Sequence, residues 1–460
     1  MLDSNPAATA EHEARRAVIT LNPLVHEIEP EVFVARHRLV LTTPVSVDAA
    51  AVLQGATYVP MTDLVHDGDR RDALSGLLSS AGVALYEGRP EHPDFRTAED
   101  VIAVLRSLSS GPAVTADFVP YLTLAPHDMG PFGPPSRSLA LAHDARPPGM
   151  RSAVIAVLDT GLPANWKAFH PGNPVVADLV AADPTPDPLY TAPLNLDEPR
   201  AVGHGLFVAT IAGRSTPQSV EVRVYRCSEF FPYEPLTTLL SAADIAGDLA
   251  LAQRYGRADR PLIVNMSFGG YYANNMQIDL LGLLLKAILL SDPGTVFCCA
   301  AGNKANFDPP PGDPGYNDGT KPIHPAAYSL DVDLANNVVA VGALDVGGNV
   351  APFSGRGPWV NAWALGVDVV SEYVPGTWIT TQKAPLPQIV ATFPLIAPAA
   401  AWSGTSFASP QVAAAIAREC VATGRSPQTV WAAMRRTLQR DPAWTDKDGA
   451  NHVEVGVIVP

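Results

Sequence analysis

From residue 154 onward the chain alternates strand-length apolar runs with helix-length runs, and this alternation restricts the fold more than any other feature. Residues 154–158, 220–225, 262–264, 296–298 and 338–341 are short and rich in valine, isoleucine and leucine. Between them, residues 206–213 and 239–253 carry apolar side chains at helical spacing. Parallel neighbours need a crossover, and a sheet covered by helices on both faces needs apolar strands. The expected fold class is therefore α/β, a doubly wound, mostly parallel sheet. Sheets of this kind hold ligands beyond the carboxyl ends of their strands, where Asp159 and Asn303 fall.

Residues 1–125 read as a separate, small α+β domain. Strands are expected at 39–42, 56–59 and 82–86, and helices at 47–53, 71–78 and 101–105, the last capped near Thr97. The first 30 or so residues read as a loose arm, and the Pro/Gly-rich stretch 130–135 as the connection to residues 126–460. Nothing in this first domain carries a motif with chemistry. Hydrophobic residues make up 47% of the 460, enough for one large core and a small second one.

Composition also removes several classes of function. A formal net charge of -15, with no basic or aromatic cluster, argues against a nucleic-acid partner. No basic start leads into an apolar core, and the apolar run at 280–285 is too short for a bilayer. The expectation is a cytoplasmic protein with no membrane partner. Cys227, Cys298, Cys299 and Cys420 show no metal-type spacing and read as buried, reduced thiols. No metal site and no cofactor are expected.

The chemistry is concentrated in three places. Residues 402–410 open a run of small and apolar residues that reads as a buried helix ending at Gly424. Pro410 is expected in its first turn. This puts Ser406 where a loop becomes a helix, beside free N–H groups and a partial positive charge that favour an oxyanion. Thr405 and Ser406 as simple helix caps is the plainer alternative. Upstream, a buried strand delivers Asp159 into Thr160-Gly161, and His204 precedes a helical pattern. Carboxylate, imidazole and hydroxyl are the orienter, general base and nucleophile of acyl transfer.

In that order, Asp159, His204 and Ser406 resemble the triad of the subtilisin-like serine proteases, the subtilases of peptidase family S8. The resemblance runs from about residue 139 to the end. Asn303, in the run Cys299-Ala300-Ala301-Gly302-Asn303, resembles the family's oxyanion-hole donor. Residues 265–270 resemble its substrate-binding strand, and residues 353–357 a structural turn. The resemblance implies a subtilisin-like fold and a serine endopeptidase, with Ser267, Phe268, Gly269, Ala301 and Gly302 binding a peptide or protein substrate. It implies that residues 306–322 help wall the specificity pocket, with residues 229–234 as a second rim. Residues 1–125 are then an accessory domain or a propeptide-like one.

Two departures stand out. Leu206 and Phe207 replace the Thr and second His usual after His204-Gly205, and the loop that commonly builds a calcium site is missing. An aspartic-protease reading of Asp159-Thr160-Gly161 fails for want of a second such triplet, and His204 with Asn303 argues against sedolisin-type chemistry. A weak or inactive peptide-binding relative, and a peptide ligase or cyclase using the same acyl-enzyme, remain as alternatives. The expected function is limited processing of a peptide or protein.

Overall fold

A computed structural model of the chain describes residues 25–29, 32–108, 113–118, 121–123, 132–139, 152–182, 195–197, 202–229, 238–240, 242–256, 260–272, 277–303, 319, 321–380 and 388–438. These form two compact units. The first comprises residues 1–120, 240–254 and 270–291, and the second residues 121–239, 255–269 and 292–460.

The first unit is built on an antiparallel sheet of β1 (Val25–Glu29), β2 (Val32–Thr42), β3 (Tyr58–Pro60), β4 (Val83–Gly88) and β5 (Val114–Phe118). The strand order is β1-β2-β4-β3, with β5 also paired to β2. Among the described residues, three helices longer than one turn and the short helix Met61–Leu64 alternate with these strands. In α1 (Val47–Gly55) the Ser46 hydroxyl accepts the Ala49 N–H, and in α2 (Gly68–Ala81) the Asp67 carboxylate accepts that of Arg70. In α3 (Ala98–Ser107) Thr97 does the same for Asp100. Each cap satisfies a donor that the first helical turn cannot. Leu39, Leu41, Leu53, Tyr58, Val101 and Leu105 fill the core between sheet and helices.

Two further helices, α5 (Ala242–Tyr255) and α6 (Leu280–Ser291), belong to this unit although they lie far along the chain. The periodicity expected a helix from Leu239, but Leu239 pairs in a short strand with Tyr121 and α5 starts at Ala242. Apolar residues at 239 and 240 suit either element, and the ladder decides. The Arg70 guanidinium donates to the Asp248 carboxylate at 2.8 Å, with the Asp248 side chain 1% exposed. Removing the cation takes a charge-assisted donor away from a buried carboxylate. Arg70→Ala is expected to cost about 1–3 kcal/mol in urea unfolding of the full chain, with Arg70→Lys recovering part. A variant as stable as wild type would show that the pair contributes nothing.

The second unit carries seven parallel strands: β6 (Ala153–Asp159), β7 (Val180–Ala181), β8 (Val220–Arg226), β9 (Leu262–Met266), β10 (Val296–Ala300), β11 (Val338–Leu344) and β12 (Ala362–Leu365). Their order is β12-β11-β10-β9-β6-β8-β7. This is the doubly wound α/β arrangement. From β6 the chain winds outward to one side and then returns to the other, so the switch point lies between β6 and β9. The register sets Met266 level with Leu158, so Asp159 and Ser267 leave the sheet together. Helices α4 (His204–Arg214) and α7 (Thr405–Thr423) pack on each other and on the sheet. Helix α7 is buried from Thr405 through Ala417, as expected of a helix apolar on all sides. It ends at Gly424 in the left-handed conformation (φ 68°).

All four cysteines are buried thiols outside any disulfide. Burial pushes the Cys298 and Cys299 thiols well up and that of Cys420 to about 12, which leaves them protonated and unreactive. Among the described residues, no helix is long and apolar enough to cross a membrane.

Candidate active site

The site assembles where β6, β9 and β10 end. Strand β6 is fully buried, and the carbonyl of its last residue, Asp159, accepts the Cys227 N–H at 2.9 Å. One Asp159 carboxylate oxygen accepts the Thr160 N–H at 2.8 Å. His204 is the first residue of α4, after Gly203 at a φ of 71°. Gly205 follows because a Cβ there would strike the Gly161 carbonyl. Its N–H donates to the Thr160 hydroxyl at 3.0 Å, tying the start of α4 to the loop after β6.

His204 Nδ1 stands 2.8 and 2.9 Å from the two Asp159 carboxylate oxygens. Both side chains are fully buried. A carboxylate accepts only, so Nδ1 carries a proton, and in the neutral imidazole Nε2 presents the lone pair. Among the described residues Nε2 has no hydrogen-bond partner. Trp402 packs edge-on and Phe407 tilted against the imidazole, with ring centroids 5.9 and 5.4 Å away. Phe207 packs behind them, 4.7 Å from Phe407 and 5.6 Å from Trp402. The two departures at Leu206 and Phe207 are thus core residues, each fully buried.

Ser406 is the second residue of α7. Pro410 lies inside that helix rather than in its first turn, because the helix already begins at Thr405. The shift has a chemical effect. Pro410 has no N–H, so the Ser406 carbonyl four residues earlier lacks its helical donor. The Ser267 hydroxyl replaces it at 2.9 Å, while the Ser267 carbonyl accepts the Ser406 hydroxyl at 3.1 Å. Behind this reciprocal clasp, Ser409 donates to Asn265 Oδ1 at 2.8 Å, and Asn265 Nδ2 donates to the Ser267 hydroxyl at 3.0 Å. All four residues are buried, so the chain of bonds is shielded from competing water.

Asn303 follows β10. Its Oδ1 accepts the Thr405 N–H and the Thr405 hydroxyl, each at 2.8 Å, and that hydroxyl accepts the Gly302 N–H at 3.0 Å. Committing the oxygen to two donors leaves the amide N–H₂ as the end that can donate. The turn at residues 353–357 supports this loop from below, with the Gly355 N–H donating to the Gly302 carbonyl at 2.8 Å.

The structure therefore brings together Asp159 with His204, Ser406 with Ser267, and Asn303 with the start of α7. Phe268, Gly269, Ala301 and Gly302 flank them on the two strand exits and are buried. Thr160, Asn265 and Ser409 were given no role of their own from the sequence, and Thr405 was read only as a helix cap, whereas the cap position is Gly404 and no side chain caps the helix. Their positions beside Asp159, Ser267 and Ser406 were the only available signal. Residues 230–234, and 306–322 apart from 319, 321 and 322, lie outside the described residues. Among the described residues no group of three or more His, Cys, Asp or Glu side chains could hold a metal ion.

The model of the subtilase family, peptidase S8, matches residues 151–454. A thermophilic serine proteinase of Bacillus sp. (strain AK1) is 26% identical over 416 residues, covering 86% of this chain and 85% of that protein. Among solved structures, fervidolysin from Fervidobacterium pennivorans, a keratinolytic enzyme related to subtilisin, aligns with a TM-score of 0.54 at 14% identity. That alignment covers 94% of this chain and 61% of fervidolysin.

Proposed function

Because the chain belongs to the subtilase family of serine endopeptidases, we propose that it hydrolyses peptide bonds through Ser406, with His204 as base and Asp159 as orienter. The observation that carries this reading is the fully buried His204–Asp159 pair, whose Nε2 is left open beside the start of α7. For attack the Ser406 hydroxyl leaves the Ser267 carbonyl, to which it donates at 3.1 Å, and donates to Nε2 instead. His204 takes its proton as Oγ attacks the peptide carbonyl, and Asp159 stabilises the imidazolium. The developing oxyanion is held by the Asn303 amide and the Ser406 N–H. His204 returns the proton to the leaving amine, and water then repeats the cycle to release the acyl group.

An extended substrate adds along the Ser267–Gly269 edge, where backbone pairing gives affinity and the adjacent cleft gives selectivity. The proposed role is limited processing of a peptide or protein. A fluorophosphonate probe should label Ser406 on the peptide map, and a peptide library should yield fragments with a water added. No label, or labelling elsewhere, would remove the assignment, and religated products would reassign the enzyme as a ligase.

Residues 1–120 are proposed to stay with the enzyme rather than be discarded. The support is that they form one unit with α5 and α6, joined through Arg70 and Asp248. Intact masses of purified wild type and Ser406→Ala after incubation should agree. Wild type clipped within residues 110–140, with the clipped fragment lost from the native protein, would show a removable propeptide.

A further inference from the structure

His204 stands at the junction where α4 begins, and the residue before it gives it little support. Gly203 is the N-cap of α4, has no side chain to cap with, and adopts a φ of 71°. A glycine reaches other conformations at small cost, so the approach to His204 has to be restrained from outside the helix. On the far side, the Gly205 N–H is tied to the Thr160 hydroxyl at 3.0 Å. On the near side, the helical ladder begins with the Gly203 carbonyl, which accepts the Phe207 N–H at 3.0 Å. The Val202 carbonyl precedes that ladder, and the Tyr373 hydroxyl donates to it at 2.9 Å. The glycine itself is also covered. A Cβ on Gly203 would lie 3.2 Å from Tyr373 Cε2 and 3.0 Å from Val374 Cγ1.

Tyr373 is held in turn at both ends of its backbone. Its N–H donates to the Pro398 carbonyl at 2.9 Å. Its carbonyl, which can only accept, takes a hydrogen bond from His170 Nε2 at 2.8 Å. The ring is fully buried among Phe393, Trp402 and Phe207, with centroids 4.7, 5.7 and 6.4 Å away. Trp402 is the same indole that packs edge-on against the His204 imidazole. One phenol therefore backs both the chain entering His204 and a ring packed on its side chain.

We infer that Tyr373 is a positioning residue for the general base, its hydroxyl fixing the peptide unit ahead of Gly203 and so the place from which Nε2 meets the Ser406 hydroxyl. The inference rests on His204 being the base. A general base works only within hydrogen-bond reach, and about 1 Å of misplacement can cost on the order of 100-fold in rate.

A double-mutant cycle on the full-length chain provides the test. Tyr373→Phe keeps the ring and removes the hydroxyl. It should lower kcat for peptide hydrolysis about 10- to 100-fold with little change in KM, because the substrate's own contacts are untouched. In a His204→Ala background there is no base to place, and Tyr373→Phe should have no further effect on the residual kcat. Phe393→Leu, which loosens the Tyr373 ring from behind, should give a smaller loss with the same dependence on His204. A folded Tyr373→Phe with wild-type kcat, or an equal loss with and without His204, would overturn the inference. If Tyr373→Phe does not fold, a silent Phe393→Leu would overturn it instead. The single variant His204→Ala separates the two levels. Full activity there removes the base and this inference with it, whereas a large loss there beside a silent Tyr373→Phe removes only the role of Tyr373.

Discussion

Ser406→Ala is expected to lower peptide hydrolysis by about 10⁶-fold, because removing the nucleophile of a triad costs roughly as much as removing the whole triad. The remaining rate, from binding and the oxyanion donors, should still exceed that in water. Stability should hardly change. The hydroxyl makes one hydrogen bond, to the Ser267 carbonyl at 3.1 Å, worth about 1 kcal/mol. The other half of the clasp runs through the Ser406 backbone carbonyl and survives the substitution. A melting temperature within about 4 °C of wild type is therefore expected. Hydrolysis at the wild-type rate would move the nucleophile elsewhere.

Asn303→Ala is expected to reduce kcat by about 10²- to 10³-fold with little change in KM, since the oxyanion exists chiefly in the transition state. The alanine variant carries a second defect. It strips the acceptor from the Thr405 N–H and hydroxyl, both 2.8 Å from Oδ1, and so loosens the start of α7. Asn303→Asp separates these effects, because the carboxylate still accepts from Thr405 but offers no N–H to the oxyanion. The same kcat loss in both variants, with better stability in the aspartate, is the expected pattern. Unchanged kcat with a raised KM would make Asn303 a binding residue instead.

The parallel sheet was legible because its strands are short apolar runs, and side-chain burial is what periodicity reports. Asp159, His204 and Ser406 could be picked out as candidates because each sits at a strand or helix end marked by glycine. The clasp between Ser267 and Ser406 was not, since it depends on where α7 begins relative to Pro410. A one-turn error in that start hides which carbonyl the proline frees. Phe207 read as a departure at the site, but its role emerges only once Trp402 and Phe407 are seen to converge on it from more than 190 residues away. The grouping of α5 and α6 with residues 1–120 was likewise invisible, because an apolar helical face does not name its partner.

That grouping bears on how the first unit can be inherited. The chain passes between the units at 120–121, 239–240, 254–255, 269–270 and 291–292, so no single junction separates them. A chimera joined at 120–121 would set one parent's α2 against the other parent's α5 and α6. It would take Arg70 from one ancestor and whatever stands at position 248 from the other. Lineages that exchange the N-terminal region by recombination must therefore carry three separated segments together, or refit a buried charge each time.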